Sequence, residues 1–167
     1  MNPFIVAAEV EESTQDAFDR LRRTHFPPER NRLAAHLTLF HALPGDALGD
    51  VLDAVRRACA RPAPTAEVTG VRSLGRGAAL VVASPGLKAA RAAVAGDFTG
   101  RLTRQDAHGF SPHVTVQNFV DPAVARATVA ALSAELTPWE FTVTGLAVHR
   151  YAGGPWDRVE GFSFGPR

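Results

Sequence analysis

The sequence predicts a domain of mixed α and β elements in which one strand–helix–strand–helix–strand unit occurs twice. Three observations predict it. Short apolar runs with β-branched content alternate with stretches of helical hydrophobic spacing along the chain. The order strand, helix, strand, helix, strand runs from about 4 to 71 and again from about 78 to 149, with one strand left over. The segment His36-Leu37-Thr38-Leu39 opens the second strand of the first unit, and His113-Val114-Thr115-Val116 opens the second strand of the second.

Each element has a local reason. Phe4 to Val10 is an apolar run and reads as a strand. Ser13 is placed to cap the next helix, Ala17, Phe18 and Leu21 form its apolar stripe, and Pro27-Pro28 stop it. A strand follows at about 36–43 and breaks at Pro44-Gly45; Asp46 then caps a helix to about residue 60. There Leu48, Val51, Leu52, Val55 and Cys59 recur at helical spacing, so Cys59 reads as a small buried hydrophobe. Strands near 65–71 and 78–83 flank a turn at Gly75-Arg76-Gly77. Ser84-Pro85 is a cap with proline at the first helical position, followed by Leu87, Ala90, Val94 and Phe98. A polar, glycine-containing loop leads to a strand at 113–120, Asp121-Pro122 starts another helix, and strands at about 139–149 and 156–164 flank Gly153-Gly154-Pro155. No linker separates two independent domains, so residues 1–167 read as one domain with an internal duplication.

Bulk properties narrow the function. The chain has 167 residues, 46% hydrophobic and 21% charged, enough for a core without disulfides. A net charge of +1 is too weak for coating long nucleic acid but compatible with a small nucleotide or one RNA end. Of the 18 basic residues only Lys88 is lysine. Arginine suits bidentate phosphate contacts, although a G- and C-rich genome explains the same bias. No apolar run approaches the ~20 residues of a membrane span, and Met1 to Val6 lack a signal-peptide layout. With a single cysteine, these features read as a soluble protein of the reducing cytoplasm, with no evident obligate protein partner.

The paired segments carry the chemistry. Side chains alternate faces along a strand, so each histidine shares a face with its threonine while Leu37, Leu39, Val114 and Val116 point into the packing layer. Two such patterns with apolar flanks would arise by chance in roughly 0.3% of chains of this composition. Cleaving a phosphodiester needs one proton removed and another supplied, and two histidines do both near neutrality. Thr38 and Thr115 are placed to donate to non-bridging phosphate oxygens, a stabilisation that needs no metal. No His-x₃-His or Cys/His cluster suggests a metal site, and no cofactor is expected.

The double His-x-Thr-x pattern resembles that of the two-histidine phosphoesterases, specifically the bacterial 2′-5′ RNA ligase-like family. Phe40-His41-Ala42-Leu43-Pro44, Gln117-Asn118 and Tyr151-Ala152-Gly153-Gly154-Pro155-Trp156 extend the resemblance over nearly the whole chain. It implies an α+β fold of two pseudo-symmetric antiparallel lobes with outer helices around a central cleft. It also implies metal-independent action on 2′,3′-cyclic phosphates or 2′,5′ linkages of nucleotides or RNA ends. His36 and His113 then take the catalytic positions, and Thr38 and Thr115 the phosphate-binding ones. For ring opening, His113 is assigned to activate water and His36 to protonate the leaving ribose oxygen.

Around this centre, Phe40 is expected on the face of His36 and Thr38, either stacking on a base or packing in the core. Tyr151 is a candidate for the cleft rim, with Trp156 beside it, and Arg32, Arg104 and Arg150 are candidates for flanking phosphates, with Gln105 and Asn118 behind them. His41, at an odd offset from His36, should face away unless the strand bulges. His25, His108 and His149 read as surface or supporting residues. The alternative to an enzyme is a nucleotide- or RNA-binding module using the same cleft. Retention of both histidines favours catalysis.

Overall fold

The computed structural model describes residues 1–166. Its elements are β1 (Phe4–Val10), α1 (Glu12–His25), β2 (Thr38–Leu43), α2 (Leu48–Ala58), β3 (Thr65–Ser73), β4 (Ala78–Ala83), α3 (Pro85–Gly96), α4 (Arg104–Ala107), β5 (His113–Gln117), α5 (Pro122–Glu135), β6 (Trp139–Arg150) and β7 (Asp157–Ser163). Apart from α4 and a single 3-10 turn at Pro28–Arg30, the order is β-α-β-α-β, then β-α-β-α-β, then β. Among the described residues no helix is long and apolar enough to cross a membrane.

Local expectations were met unevenly. Ser84 caps α3 as read, its Oγ accepting from the Leu87 N–H at 3.2 Å with Pro85 in the first turn. Ser13 does not cap α1. The chain turns from β1 straight into the helix at Glu11, leaving Ser13 already inside it. Asp46 likewise precedes the N-cap, Ala47, by one residue. Helix α4 lies where a loop was expected; four residues carry no periodicity, and its signal is the cap, Thr103 Oγ1 accepting from the Asp106 N–H.

The fold is α+β with a seven-stranded antiparallel sheet, in the order β2-β1-β6-β3-β4-β5, with β7 also on β6. The order is a palindrome in structural roles. In each half the second strand pairs with the first, and the third strand crosses over to pair with the first strand of the other half. The long strand β6 makes this possible: Trp139 to Thr142 pair with β3, and Val143 to Arg150 pair with β1. The core fills from both halves, with Val51, Val55 and Cys59 of α2 and Leu87 and Val94 of α3 all buried in one cluster with Leu39, Phe40, Val114 and Val116.

The strands that bear the paired motifs share an irregularity. On β2, Thr38 is opposite Ala7 but Phe40 is opposite Val6, so Leu39 is an extra residue. On β5, Thr115 is opposite Ala79 but Gln117 is opposite Ala78, so Val116 is the extra residue. These are bulges, which put two residues against one and shift the faces beyond them. Leu39 with Phe40, and Val116 with Gln117, are consequently all buried.

Gly77 is required by a close approach: a Cβ there would collide with the backbone of Gln117 and Asn118. Gly77→Ala is expected to lower stability by about 1–3 kcal/mol, the usual range for overpacking. Gly49→Ala, on a helix position with open space around it, should leave stability unchanged or raise it by up to ~1 kcal/mol. Urea unfolding of both variants beside wild type checks the contrast.

Candidate active site

The two histidines are held by the same device. His36 Nδ1 lies 2.8 Å from the Ala34 carbonyl oxygen, and His113 Nδ1 lies 2.9 Å from the Ser111 carbonyl oxygen, each two residues upstream. A carbonyl only accepts, so each Nδ1 carries hydrogen and donates. Each Nε2 is thereby left as the nitrogen that gives and takes protons. His113 starts β5, whereas His36 lies two residues before β2 rather than within it. Both segments are still tied to a neighbouring strand, though at different positions: Ala8 N–H donates to the Leu37 carbonyl, after His36, at 2.9 Å, and Val82 N–H donates to the Pro112 carbonyl, before His113, at 3.0 Å.

Histidines and threonines combine crosswise. A cavity of about 400 Å³ is lined by His36 and Thr115, and another of about 270 Å³ by Thr38 and His113. The threonines sit beside small partners, Thr38 opposite Ala7 and Thr115 opposite Ala79. A larger space, about 560 Å³, lies on the far side of His36 against Glu9, Glu12 and Arg158.

Burial lowers the pKa of both histidines, outweighing the upward pull of the Ala34 and Ser111 carbonyls. Neighbouring positive charge adds to the lowering: Arg22, His113 and His41 act on His36, and Arg72 and His41 act on His113. The lowering favours the neutral form of both rings at pH 7.

The bulges correct one expectation. Phe40 is fully buried and lies on the opposite face from Thr38, under the Arg91 guanidinium at 4.3 Å, so it offers no stacking surface in the cleft. The same shift brings His41 to the cleft, where it lines the cavity of Thr38 and His113. Asn118 takes the corresponding place beside His36 and Thr115. His41 is held by Asp106, whose carboxylate accepts from the His41 N–H at 2.8 Å, the Ala42 N–H at 2.9 Å and His41 Nδ1 at 3.3 Å. Burial pushes the Asp106 carboxyl upward, but those bonds outweigh it and its pKa is lowered overall.

The rim residues divide. Tyr151, exposed, and Trp156 line the cavity of His36 and Thr115, and the Trp156 ring packs on the His36 ring at 4.6 Å between centroids. Arg32 is exposed on the same rim. Arg104 is exposed at the start of α4, beside Gln105, which lines the cavity of Thr38 and His113. Arg150 is spent on structure, its guanidinium 4.1 Å from the Phe4 ring centre and donating to the Asn2 carbonyl.

Sequence reasoning missed Arg22, Arg72, Asp106 and Phe119. Arg22 is buried, donates to Asn31 Oδ1 and reaches the Thr115 carbonyl at 3.1 Å, so α1 of the first half holds the motif strand of the second. Arg91 of α3 donates to the Leu39 carbonyl at 3.2 Å, the reciprocal tie. Arg22 had a signal: it lies four residues after Phe18 on the buried stripe of α1. Phe119 projects 51% exposed with φ of 64°, a left-handed backbone rare outside glycine. Asn118 Oδ1 accepts from its N–H, and Arg30 covers its ring at 4.2 Å. Among the described residues no group of three or more His, Cys, Asp or Glu is placed to hold a metal ion.

Fold and paired motifs together define a class, and comparison gives its name. A family profile described as the 2′-5′ RNA ligase superfamily matches residues 10–155, and the chain belongs to that superfamily of two-histidine phosphoesterases and RNA ligases. Solved structures are similar over nearly full length: Escherichia coli LigT complexed with NADP+ (16% identity, TM-score 0.62, 98% of each chain) and a protein titled phosphoesterase (18%, 0.65, 98% of each). A third is TT0787 of Thermus thermophilus (20%, 0.63, 99% of this chain and 100% of that one). LigT has also been crystallised with ATP and with 3′-AMP. No curated protein matches the chain.

The lowered pKa values set a direction in pH. An acid–base pair of histidines needs one ring neutral and one protonated, a state most populated here between two values that both lie below the ordinary 6.5. Any catalysed kcat/KM should therefore be bell-shaped with its maximum on the acid side of 6.5. Stability follows the same sign: the folded rings bind protons more weakly than unfolded ones, so stability is full above 6.5 and falls as pH drops below it. Melting temperatures from pH 8 to 5 should show that fall, and His113→Gln should flatten it.

Proposed function

We propose that the protein is a metal-independent phosphoesterase that opens 2′,3′-cyclic phosphates or cleaves 2′,5′ linkages of nucleotides or RNA ends, with 2′-5′ ligation as the reverse of that second cleavage. The observation that carries this reading is the matched pair of Nδ1–H donors to upstream carbonyls, which leaves two equivalent Nε2 atoms for acid–base work. For ring opening, His113 Nε2 takes a proton from water as it attacks phosphorus, and His36 Nε2, protonated, gives one to the departing ribose oxygen. Thr38 and Thr115 donate to the non-bridging oxygens as negative charge grows on them. In 2′-5′ ligation a 5′-hydroxyl takes the place of water, losing its proton as it attacks phosphorus while the departing 3′-oxygen gains one, and cleavage of the 2′,5′ linkage back to the cyclic phosphate exchanges the two roles.

Several features support a nucleotide substrate. The cavity of His36 and Thr115 has an aromatic wall of Phe26, Phe119, Tyr151 and Trp156 on which a base can stack, with Arg32 at its edge for a flanking phosphate. Nucleotides have been bound to the similarly folded LigT. We read residues 1–167 as one domain that arose by duplication, and the buried lone Cys59 suits the reducing cytoplasm.

The test is product analysis, in EDTA, on 2′,3′-cyclic nucleotides and short 2′,5′-linked oligomers. His36→Ala and His113→Ala are each expected to lower kcat by ~10²–10⁴. The double variant should lose far less than the product of the two, because both act on one transition state. Tight nucleotide binding without turnover on any substrate would instead favour the binding module. Activity abolished by EDTA and restored by a metal would sink the metal-free mechanism.

A further inference from the structure

Taking the proposed phosphoesterase reading as given, we infer that the cavity beyond Thr38 and His113 is a second anion subsite, built on Arg72 and His41, that takes a phosphate group other than the one being cleaved. The preferred substrate is then a nucleotide or RNA end bearing at least two phosphates rather than a bare nucleoside cyclic phosphate.

The geometry supplies the contacts. Arg72 of β3 is opposite Ala79, and Ala79 is opposite Thr115, so the three stand in one row across the sheet on one face. The alanine methyl between them leaves the floor open. Arg72 is exposed, and among the described residues it forms no ion pair, unlike Arg56, Arg57, Arg101 and Arg158. His41 comes from the opposite wall. Asp106 accepts from its Nδ1–H and its backbone N–H, which leaves Nε2 as the ring atom that meets a phosphate, accepting from a phosphate hydroxyl when the ring is neutral and donating when the ring carries a proton.

Fixed positive charge outnumbers negative in this cavity. Arg72 and Arg91 line it against the single carboxylate of Asp106, which is already engaged with His41 and Ala42, and His41, His108 and His113 add ring nitrogens. The two sides of the cleft also differ at equivalent positions. Where the first half has His41, the second has Asn118, which turns to the Phe119 N–H instead. The aromatic residues line the His36 side; on this side Phe110 alone is aromatic besides the histidines. A base on one side and a second phosphate on the other would give the substrate one direction through a nearly symmetric cleft.

The test compares substrates within each variant, so that losses common to both cancel. Adenosine 2′,3′-cyclic phosphate is assayed against its 5′-phosphorylated form and against a dinucleotide ending in the cyclic phosphate. In wild type, kcat/KM for at least one phosphate-bearing substrate should exceed the parent by about tenfold or more, the size of a charge-assisted contact. In Arg72→Gln and His41→Asn that ratio should fall towards one. A ratio near one in wild type, or a ratio that survives both substitutions, overturns the subsite. So does an equal loss on all three substrates, which would mean that Arg72 and His41 serve the reacting phosphate. Calorimetry with adenosine 2′,5′-bisphosphate and 2′-AMP gives a reading free of turnover. If no substrate is cleaved but the bisphosphate binds about tenfold tighter in wild type and not in the variants, the subsite stands and the catalytic reading fails. Equal binding of the two ligands in wild type overturns the subsite.

Discussion

A strand inside a sheet must find backbone partners on both edges, and β1 and β4 each find one of theirs in the third strand of the opposite half. Neither half completes its own sheet. The arginines repeat the exchange, Arg22 of α1 holding the Thr115 carbonyl and Arg91 of α3 holding the Leu39 carbonyl. The cavities repeat it again, each lined by a histidine of one half and a threonine of the other. The segments that carry His36 and His113 are thus tied to the neighbouring strands by backbone hydrogen bonds, Leu37 to Ala8 and Pro112 to Val82. Positions fixed in this way suit a reaction in which a small misplacement of an acid or base is expensive.

Electrostatics works on that frame. Arg22 and His41 lower the basicity of His36, and Arg72 and His41 that of His113. A bound phosphate reverses the balance, because its charge favours protonated rings. In the proposed reaction, substrate binding and protonation of the acid are then one event. Burial of Asp106 serves the same end, since a carboxylate fully occupied by His41 and Ala42 holds the wall without presenting itself to the phosphate.

Much of this was legible in the sequence, for physical reasons. Hydrophobic period gave away the strands and long helices, and the repeated His-x-Thr-x segments marked the centre because both stand at the same place in a repeated unit. What lay beyond each threonine was not legible. Regular alternation puts Phe40 in the cleft and His41 in the core, and a single extra residue at Leu39 exchanges them. No residue type announces that bulge. Arg72 reaches the site through strand register, which depends on partners remote in sequence. Arg150 lay near the right segment but on a packing surface against Phe4. Proximity along the chain was a poor guide for arginines, whereas the buried stripe of α1 was a usable one for Arg22.

The exchange of third strands has a further consequence for how the chain is made. β1 opens the chain at Phe4, yet its second neighbour is β6, and Phe4 faces Arg150. During synthesis that edge stays unpaired until most of the polypeptide has emerged, and closing it draws together residues nearly the full length apart. Such non-local pairing slows folding. It also means that an incomplete chain contains His36 with no finished wall opposite it until the last long strand docks.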